Sequence, residues 1–302
     1  MRTVVFAYQS IGHACLEEVL RQGHDVAAVV TVEDDPNENI WFQSVADLAR
    51  SAGLPVLLPG DPNGPETIWN IRSLAPDIIF SFYYRYMMKP ELLEIAPRGA
   101  LNMHGSYLPK YRGRCPVNWV LVHGETETGV TLHYMVERPD AGDIVAQRKF
   151  PIEFTDTAQD IYEKMIPAAR DIMVEVLPLL DAGTAPRIPQ DPSQASYFGG
   201  RKPADGRFEW SWPALRIYNL VRAVTHPYPG AFVETPQGKL LVWSCWPEAA
   251  AVRADPGTLL ETSADGVRVA TGEGSLLLRT VQPEGGPEVG GADIPPLVAG
   301  TL

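Results

Sequence analysis

Asn102 and His104 stand two positions apart at the end of an apolar run, residues 100–104. Side chains at positions i and i+2 of a strand point to the same face, so both would face one pocket. In open α/β sheets, ligands bind outside the carboxyl ends of the strands, which is where this run ends. An asparagine amide can donate to an oxyanion and a histidine can move a proton near neutral pH, so the pair predicts a catalytic site.

A carboxylate that orients the imidazole is the missing member of such a site. Asp140, in the turn at residues 139–142, is the candidate, and Asp143 is its nearest competitor. A carboxylate beside the ring favours the charged imidazole, so we expect Asp140 to raise the pKa of His104. Each residue also has a purely structural interpretation, because lone histidines are mostly structural and Asn or Asp commonly closes a turn.

The elements that must position these residues alternate along the first half of the chain. Short continuous apolar runs, typical of strands covered on both faces, alternate with segments of helical spacing. This predicts an α/β fold with a mainly parallel, Rossmann-like sheet over residues 1–190. The predicted strands are residues 3–8, 26–31, 56–58, 77–82 and 100–104, and the predicted helices are residues 15–21, 44–52 and 66–74.

The rest of the chain completes this domain and adds a second one. A short helix is predicted at 116–123, strands at 130–136 and 144–150, and a long helix at 158–180 with a break near Pro167. Residues 191–204, rich in Pro and Gly, predict a linker. Residues 205–302 then predict one helix, 212–224, and a small β-barrel-like (OB-like) domain. Its predicted strands are residues 231–235, 239–246, 257–261, 266–270 and 275–281, followed by an irregular tail after Gln282.

The composition favours a soluble enzyme and disfavours proteins that bind nucleic acid, metals or membranes. The chain has 302 residues, is 45% hydrophobic and carries a net charge of −12, which suits a soluble enzyme and disfavours binding to nucleic acid. Three scattered cysteines, six scattered histidines and no HExxH sequence predict a cytoplasmic location and no metal. No window reaches the roughly 20 apolar residues of a membrane span, so no membrane partner is expected.

A longer motif surrounds the Asn102 and His104 pair. The run NMHGSYLPKYRGRCPVNW, followed by T-G-V-T at 128–131 and D-A-G-D-I at 140–144, resembles the signature of the folate-dependent formyltransferases. The likeness extends to FSFYYR at 80–85 and RAVTHPYPGAF at 222–232, and it covers nearly the whole chain. The resemblance implies 10-formyltetrahydrofolate as formyl donor, a primary amine as acceptor, and no metal.

The resemblance also implies which residues act. Asn102, His104 and Asp140 match the catalytic trio of the family. The positions that match folate contacts are Tyr86, Met87, Met88, Arg114, Val136, Glu137, Arg138 and Pro139. This chain departs from the family pattern at Tyr107, at Cys115 and across residues 86–88, which implies a pocket that differs in its detailed shape.

A nucleotide-linked amino sugar is the acceptor that the resemblance favours. UDP-4-amino-4-deoxy-L-arabinose comes first, with lipid A modification as the implied pathway, because the likeness is strongest to a formyltransferase that acts on this sugar. A dTDP-linked amino sugar comes second. Methionyl-tRNA comes third, since a net charge of −12 opposes tRNA binding. The family likeness is compatible with a homo-oligomer.

Cations and aromatic rings for the nucleotide are available, although ordinary loop charge and core packing explain the same residues equally well. The candidates are Arg201, Lys202 and Arg222 for the diphosphate, and Trp119, Tyr228 or Phe232 for the base.

Other functions share parts of the pattern. A hydrolase would pass the formyl group to water, but it would not need the second domain. A thiol hydrolase would pair Cys115 with His104, but the motif already accounts for the histidine. A folate or nucleotide sensor would not need the intact trio, and the lack of GxGxxG disfavours a dinucleotide oxidoreductase.

Overall fold

The computed structural model describes residues 1–35 and 39–294. The chain divides into two compact units. The N-terminal unit comprises Met1–Pro116, Glu127–Pro151 and Tyr162–Phe198, and the C-terminal unit comprises Val117–Thr126, Ile152–Ile161 and Gly199–Leu302. Residues 295–302, the end of the predicted second domain, lie outside the described residues.

A seven-stranded sheet forms the centre of the N-terminal unit. The strands of this unit are β1 (Arg2–Ala7), β2 (Asp25–Val30), β3 (Val56–Leu57), β4 (Ile78–Phe82), β5 (Ala100–His104), β6 (Arg112–Gly113), β7 (Glu127–Tyr134), β8 (Ile144–Pro151) and β9 (Tyr197–Phe198). The sheet order is β3-β2-β1-β4-β5-β7-β8, with β1 to β5 parallel and β7 and β8 antiparallel. β6 and β9 form a separate two-stranded parallel ribbon. The predicted α/β class with a mainly parallel sheet is confirmed.

The central strands are buried on both faces, as their unbroken apolar runs predict. Val4–Ala7 in β1 and the whole of β4 are buried. The helices of the chain are α1 (Gln9–Arg21), α2 (Val45–Ser51), α3 (Pro65–Ser73), α4 (Pro90–Leu93), α5 (Pro116–Val122), α6 (Ala158–Ala182) and α7 (Ala214–Val224). Short 3-10 turns occupy Pro192–Gln194, Pro203–Gly206 and Gly291–Asp293.

Helix α1 begins six residues before its predicted start at Cys15. Gly12 lowers the helix propensity of the first turns, which hid them from the sequence pattern. A Cβ at Gly12 would come within 2.8 Å of the Phe82 carbonyl oxygen. The glycine therefore lets α1 pack closely against the end of β4.

Helix α6 is continuous, so the predicted break near Pro167 is wrong. Pro167 and Pro178 both lie on the exposed face of the helix, where water can hydrate the carbonyls that lose their N–H partners. The opposite face buries Ile161, Met165 and Ile172 completely. Burying each such side chain contributes about 1.5–3 kcal/mol, which together outweighs the roughly 3 kcal/mol cost of an interior proline.

The C-terminal unit is built on an antiparallel sheet, as predicted. Its strands are β10 (Ala231–Thr235), β11 (Gly238–Glu248), β12 (Leu259–Ser263), β13 (Gly266–Ala270), β14 (Ser275–Pro283) and β15 (Val289–Gly290). The order is β10-β11-β14-β13-β12, with β15 pairing with β14. The predicted irregular tail is thus partly wrong: β14 continues to Pro283, and Val289–Gly290 adds a short strand.

Candidate active site

Strand β5 presents Asn102 and His104 on one face and packs Leu101 and Met103 on the other. Leu101 and Met103 are buried, His104 is nearly so, and Asn102 is half-buried. The antiparallel neighbour β7 places His133 directly opposite Asn102. Opposed residues share a face, so a second buried histidine joins the two predicted residues.

His133 has a defined tautomer. Its Nδ1 lies 2.8 Å from the carbonyl oxygen of Tyr134, so Nδ1 carries the proton and donates it. The unprotonated Nε2 then accepts from Asn102 Nδ2 at 3.3 Å. This contact sets the amide orientation of Asn102 and leaves the second hydrogen of Nδ2 for another acceptor.

His104 is held by a backbone carbonyl on one side and a carboxylate on the other. Its Nε2 donates to the carbonyl oxygen of Tyr111 at 2.8 Å. Its Nδ1 lies 3.5 Å from Asp140 Oδ1, and the same oxygen lies 3.4 Å from His133 Nε2. In the neutral ring the proton is therefore on Nε2, and Nδ1 has a free lone pair.

Residues 105–115 are fixed by several hydrogen bonds and present the Tyr111 carbonyl to His104. Thr131 Oγ1 donates to the carbonyl of Ser106 at 2.7 Å and accepts from Leu108 N–H at 3.2 Å. Ser106 Oγ donates to the carbonyl of Lys110 at 2.7 Å, and Tyr111 N–H donates to Ser196 Oγ at 2.9 Å. Tyr111 also has a positive φ of 59°. The motif S-Y-L-P-K-Y-R-G thus builds the support for one ring nitrogen.

Asp140 sits in a turn that returns to the sheet face. Its backbone has a positive φ of 53°, and its Oδ2 accepts from Gly113 N–H at 2.7 Å. Gly142 follows two residues later, where any Cβ would overlap the Tyr134 carbonyl. The backbone carbonyl of the competitor, Asp143, instead accepts from the Tyr134 N–H at 2.9 Å. The structure therefore brings Asp140 to His104.

Gln190 clamps the Asp140 turn, and sequence reasoning missed it. Its Nε2 donates to the carbonyls of Asp140 at 2.8 Å and Gly142 at 2.7 Å. Its Oε1 accepts from Arg112 Nε at 3.1 Å and Nη2 at 2.6 Å. Arg112 is buried, and its Nη1 donates to Tyr197 Oη at 2.6 Å. No local sequence signal marks Gln190, because its partners lie 48 to 78 positions away.

The electrostatics of the site differ from the sequence expectation. Burial lowers the pKa of His104 below its ordinary 6.5, and this effect outweighs the opposing attraction of Asp140 and the Tyr111 carbonyl. The expected rise in the pKa of His104 is therefore wrong. Burial acts to raise the pKa of Asp140, but the positive charge of His104 and His133 in their protonated forms, together with the hydrogen bond from the Gly113 N–H, holds it well below its usual range. The resting site has a neutral imidazole beside an ionised carboxylate.

The residues that the resemblance assigned to folate are mostly on the surface. The apolar side chains of Tyr86, Met87 and Val136 are exposed. The exposed residues also include Arg114, Glu137, Arg138 and Pro139. Met88 is 4% exposed and packs in the core with Val4 and Leu92, so its side chain does not face solvent.

The positions offered for the nucleotide have structural partners. The guanidinium of Arg201 lies 4.6 Å from the ring centre of Trp119, Lys239 lies over Phe232, and Arg222 is buried. Cys115 is half-buried with a positive φ of 54°.

Over residues 1–35 and 39–294, no cluster of three or more His, Cys, Asp or Glu side chains has the arrangement of a metal site. Within the same part of the chain, no helix is long and apolar enough to cross a bilayer.

Two protein families match the chain. Residues 1–177 match the family described as Formyl transferase, and residues 201–295 match Formyl transferase, C-terminal domain. Strand β5, which carries Asn102 and His104, and the Asp140 turn both lie in the first match.

Solved structures share the fold. An N-formyltransferase from Helicobacter canadensis, solved with folinic acid and dTDP-3-aminofucose, has a TM-score of 0.70 and 20% identity over 92% of this chain and 98% of that one. WlaRD, a sugar 3N-formyl transferase solved with dTDP and 5-N-formyl-THF, has a TM-score of 0.69 and 18% identity over 92% and 97%. A variant of HypX from Aquifex aeolicus has a TM-score of 0.67 and 19% identity over 100% of this chain but 48% of HypX. This chain thus spans about half the length of HypX.

Proposed function

Because the chain belongs to the formyl transferase family, we propose that it moves a formyl group from 10-formyltetrahydrofolate to the primary amine of a nucleotide-linked amino sugar. The observation that carries this proposal is the convergence of Asn102, His104 and Asp140, with Asp140 Oδ1 lying 3.5 Å from His104 Nδ1.

The neutral state of His104 suits the first step. A sugar amine must be uncharged at nitrogen to attack the formyl carbon, and it must lose a proton as the new C–N bond forms. His104 Nδ1 has the free lone pair that can take this proton. The resulting imidazolium would lie between the Asp140 carboxylate and the Tyr111 carbonyl, so both stabilise the charge as it appears.

Asn102 stabilises the oxygen that becomes negative. One Nδ2 hydrogen is bound to His133, and the other can donate to the oxyanion of the tetrahedral intermediate. Removing one such donor costs about 3–4 kcal/mol of transition-state stabilisation. His104 then returns its proton to the leaving folate nitrogen, and positioned proton transfer contributes about 10²–10⁴-fold.

Folate would bind against the loops that surround the site. The exposed apolar side chains of Tyr86, Met87 and Val136 offer contact for a flat pterin. The backbone of residues 136–139 can supply hydrogen bonds to its polar edge. The H. canadensis enzyme and WlaRD were both solved with folate derivatives, which supports the same donor here.

The acceptor is an amino sugar on a nucleoside diphosphate. UDP-4-amino-4-deoxy-L-arabinose is the first choice, on the sequence resemblance described above. A dTDP-amino sugar is the second, since the H. canadensis enzyme was solved with dTDP-3-aminofucose. A tRNA acceptor is disfavoured because 37 acidic residues against 25 basic ones give a net charge of −12, which repels a polyphosphate backbone.

The test supplies 10-formyltetrahydrofolate with a panel of acceptors and detects formylated product by its mass. The panel contains UDP-4-amino-4-deoxy-L-arabinose, dTDP-3-aminofucose and methionyl-tRNA. Formylation of either sugar nucleotide supports the proposal and identifies the base. Formylation of the tRNA alone, or release of formate without any acceptor product, would overturn it.

The residue assignment is tested in the same assay. We expect His104→Ala and Asp140→Asn to lower kcat by about 10²-fold or more. His123→Ala is the matched control, because His123 is an exposed histidine outside the site. Wild-type turnover in a folded His104→Ala protein would remove His104 from the mechanism.

A further inference from the structure

A cavity of ≈200 Å³ lies within the C-terminal unit, between α7, β11, β14 and the residues just before α6. Two arginines, Arg222 and Arg279, reach its wall, and none of its lining residues is a carboxylate. This is unusual in a chain whose 37 acidic residues exceed its 25 basic ones. Several arginines elsewhere have carboxylate partners, as Arg170 has in Glu17.

Arg222 is 6% exposed and has one donor group to spare. Its Nε donates to Asn219 Oδ1 at 2.9 Å. Its Nη1 is shared among three backbone carbonyls of residues 153–156 at 3.2 to 3.4 Å. Within residues 1–35 and 39–294, Nη2 makes no hydrogen bond. The N–H₂ group of this buried guanidinium, at a cavity wall, is available to donate to an acceptor that enters the cavity.

Arg279 approaches the same cavity from β14. Its guanidinium lies 5.2 Å from the ring centre of Trp246. It makes no ion pair with the described part of the chain. Burial lowers the pKa of Arg222 and the charge of the Asp156 carboxylate opposes this, so the guanidinium stays charged. The Asp156 carboxylate itself accepts from the Glu153 N–H at 2.7 Å. The cavity therefore keeps the positive charge of both arginines.

A β-bulge supplies the polar side of the wall. The pairing of β11 with β14 shifts register on both sides of Ser244, so consecutive residues of β11 line the cavity instead of alternating. The hydroxyls of Ser244 and Thr155 line it and make no hydrogen bond with any residue described here. Four donors thus meet in one space from different directions.

We propose that this cavity binds the phosphate group of a small phosphorylated molecule. Arg222 Nη2 and Arg279 supply the charge, and the hydroxyls of Ser244 and Thr155 complete the contacts. Phosphate fits better than a carboxylate, because three oxygens directed apart match donors that converge from several sides. The site goes beyond the proposed formyl transfer: no chemical step of that reaction uses these residues, and the sequence offered only Arg222 among them, as a cation for the acceptor diphosphate.

The experiment titrates the full chain with inorganic phosphate and, separately, with UMP, by calorimetry in the absence of folate and amino sugar. Binding is thereby measured independently of turnover. The test variant is Arg279→Glu, because Arg222 also holds the chain at residues 153–156. The control is Arg216→Glu, since Arg216 likewise stacks on a tryptophan, Trp212, at 3.6 Å, but lies outside the cavity.

We expect Arg279→Glu to weaken phosphate binding at least about tenfold, and Ser244→Ala to weaken it a few-fold, with Arg216→Glu unchanged. Tighter binding of UMP than of phosphate would identify a nucleotide ligand, and equal binding would identify free phosphate. The proposal is overturned if neither probe binds more tightly than about 1 mM, or if Arg279→Glu and Arg216→Glu bind alike.

Discussion

The side chain of Gln190 joins two sets of hydrogen bonds, and two different substitutions can distinguish their contributions. Its amide nitrogen holds the carbonyls of Asp140 and Gly142, and its amide oxygen holds the guanidinium of Arg112. Gln190→Ala removes both sets. Gln190→Glu keeps an acceptor for Arg112 but sets a carboxylate oxygen against the two carbonyls. We therefore expect the two variants to differ in stability and to agree in their loss of activity.

The magnitudes follow from the bonds that each change removes. The two carbonyl bonds are neutral and contribute about 1 kcal/mol each, and the bond from the buried Arg112 contributes about 1.5–3 kcal/mol. Gln190→Ala should therefore lower the free energy of unfolding by about 3–5 kcal/mol. Gln190→Glu should lower it by about 2 kcal/mol or less, because the charged pair with Arg112 survives. Urea unfolding of both proteins measures the difference.

The turnover number, kcat, depends on where the Asp140 carboxylate lies relative to His104. Without the clamp, the Asp140 carboxylate is free to move from His104 Nδ1, and displacing a catalytic group by about 1 Å can cost about 10²-fold. We expect kcat to fall in both variants while KM for the acceptor changes little. Gln194→Ala is the control, because this exposed glutamine of the same segment donates its side-chain hydrogen bond to Asp191, at 2.8 Å, and not to the Asp140 turn. Wild-type kcat in a folded Gln190→Glu protein would refute the role of Gln190 in positioning Asp140.

Three further predictions concern residues of the N-terminal unit. Because burial lowers the pKa of His104, kcat/KM expressed per uncharged acceptor amine should stay flat through neutral pH and fall only on acidification. Asp140→Asn should move this acid limb to lower pH, and a limb that moves up would contradict the assignment. In the native protein a thiol reagent should modify Cys115 first, since the other two cysteines are buried, and Cys115→Ala should keep turnover within about twofold. Gly142→Ala should cost about 3 kcal/mol in urea unfolding by driving a Cβ into a carbonyl of β7, whereas Gly60→Ala, with open space around it, should be neutral.

The part of the site that could be predicted from the sequence is the part that depends on local pattern. Asn102 and His104 share a face because a strand repeats every two residues, and the apolar run before them marks that strand. The family motif then pointed to Asp140. Each of these inferences uses residues close in sequence or a pattern already associated with the fold.

The remaining part depends on contacts between distant segments. His133 lies 31 positions from Asn102 and joins it only through the register of β5 and β7. Gln190 lies in a stretch rich in proline, whose composition says nothing of its partners. The pKa of His104 was predicted in the wrong direction because the sequence shows the neighbouring charge but not the exclusion of water, and burial is the larger effect.

Residues 188–198 cross the Asp140 turn and complete the N-terminal unit. Ile188 bridges to Ile144, Gln190 clamps the turn, and Tyr197–Phe198 pairs with β6. A shortened protein ending after α6 would keep Asn102, His104 and Asp140, yet it would lose the segment that holds the Asp140 turn in place. Protein engineers who exchange C-terminal domains between such enzymes should therefore join the two chains beyond residue 198, since a cut at 182 would transfer the catalytic residues without the segment that holds the Asp140 turn.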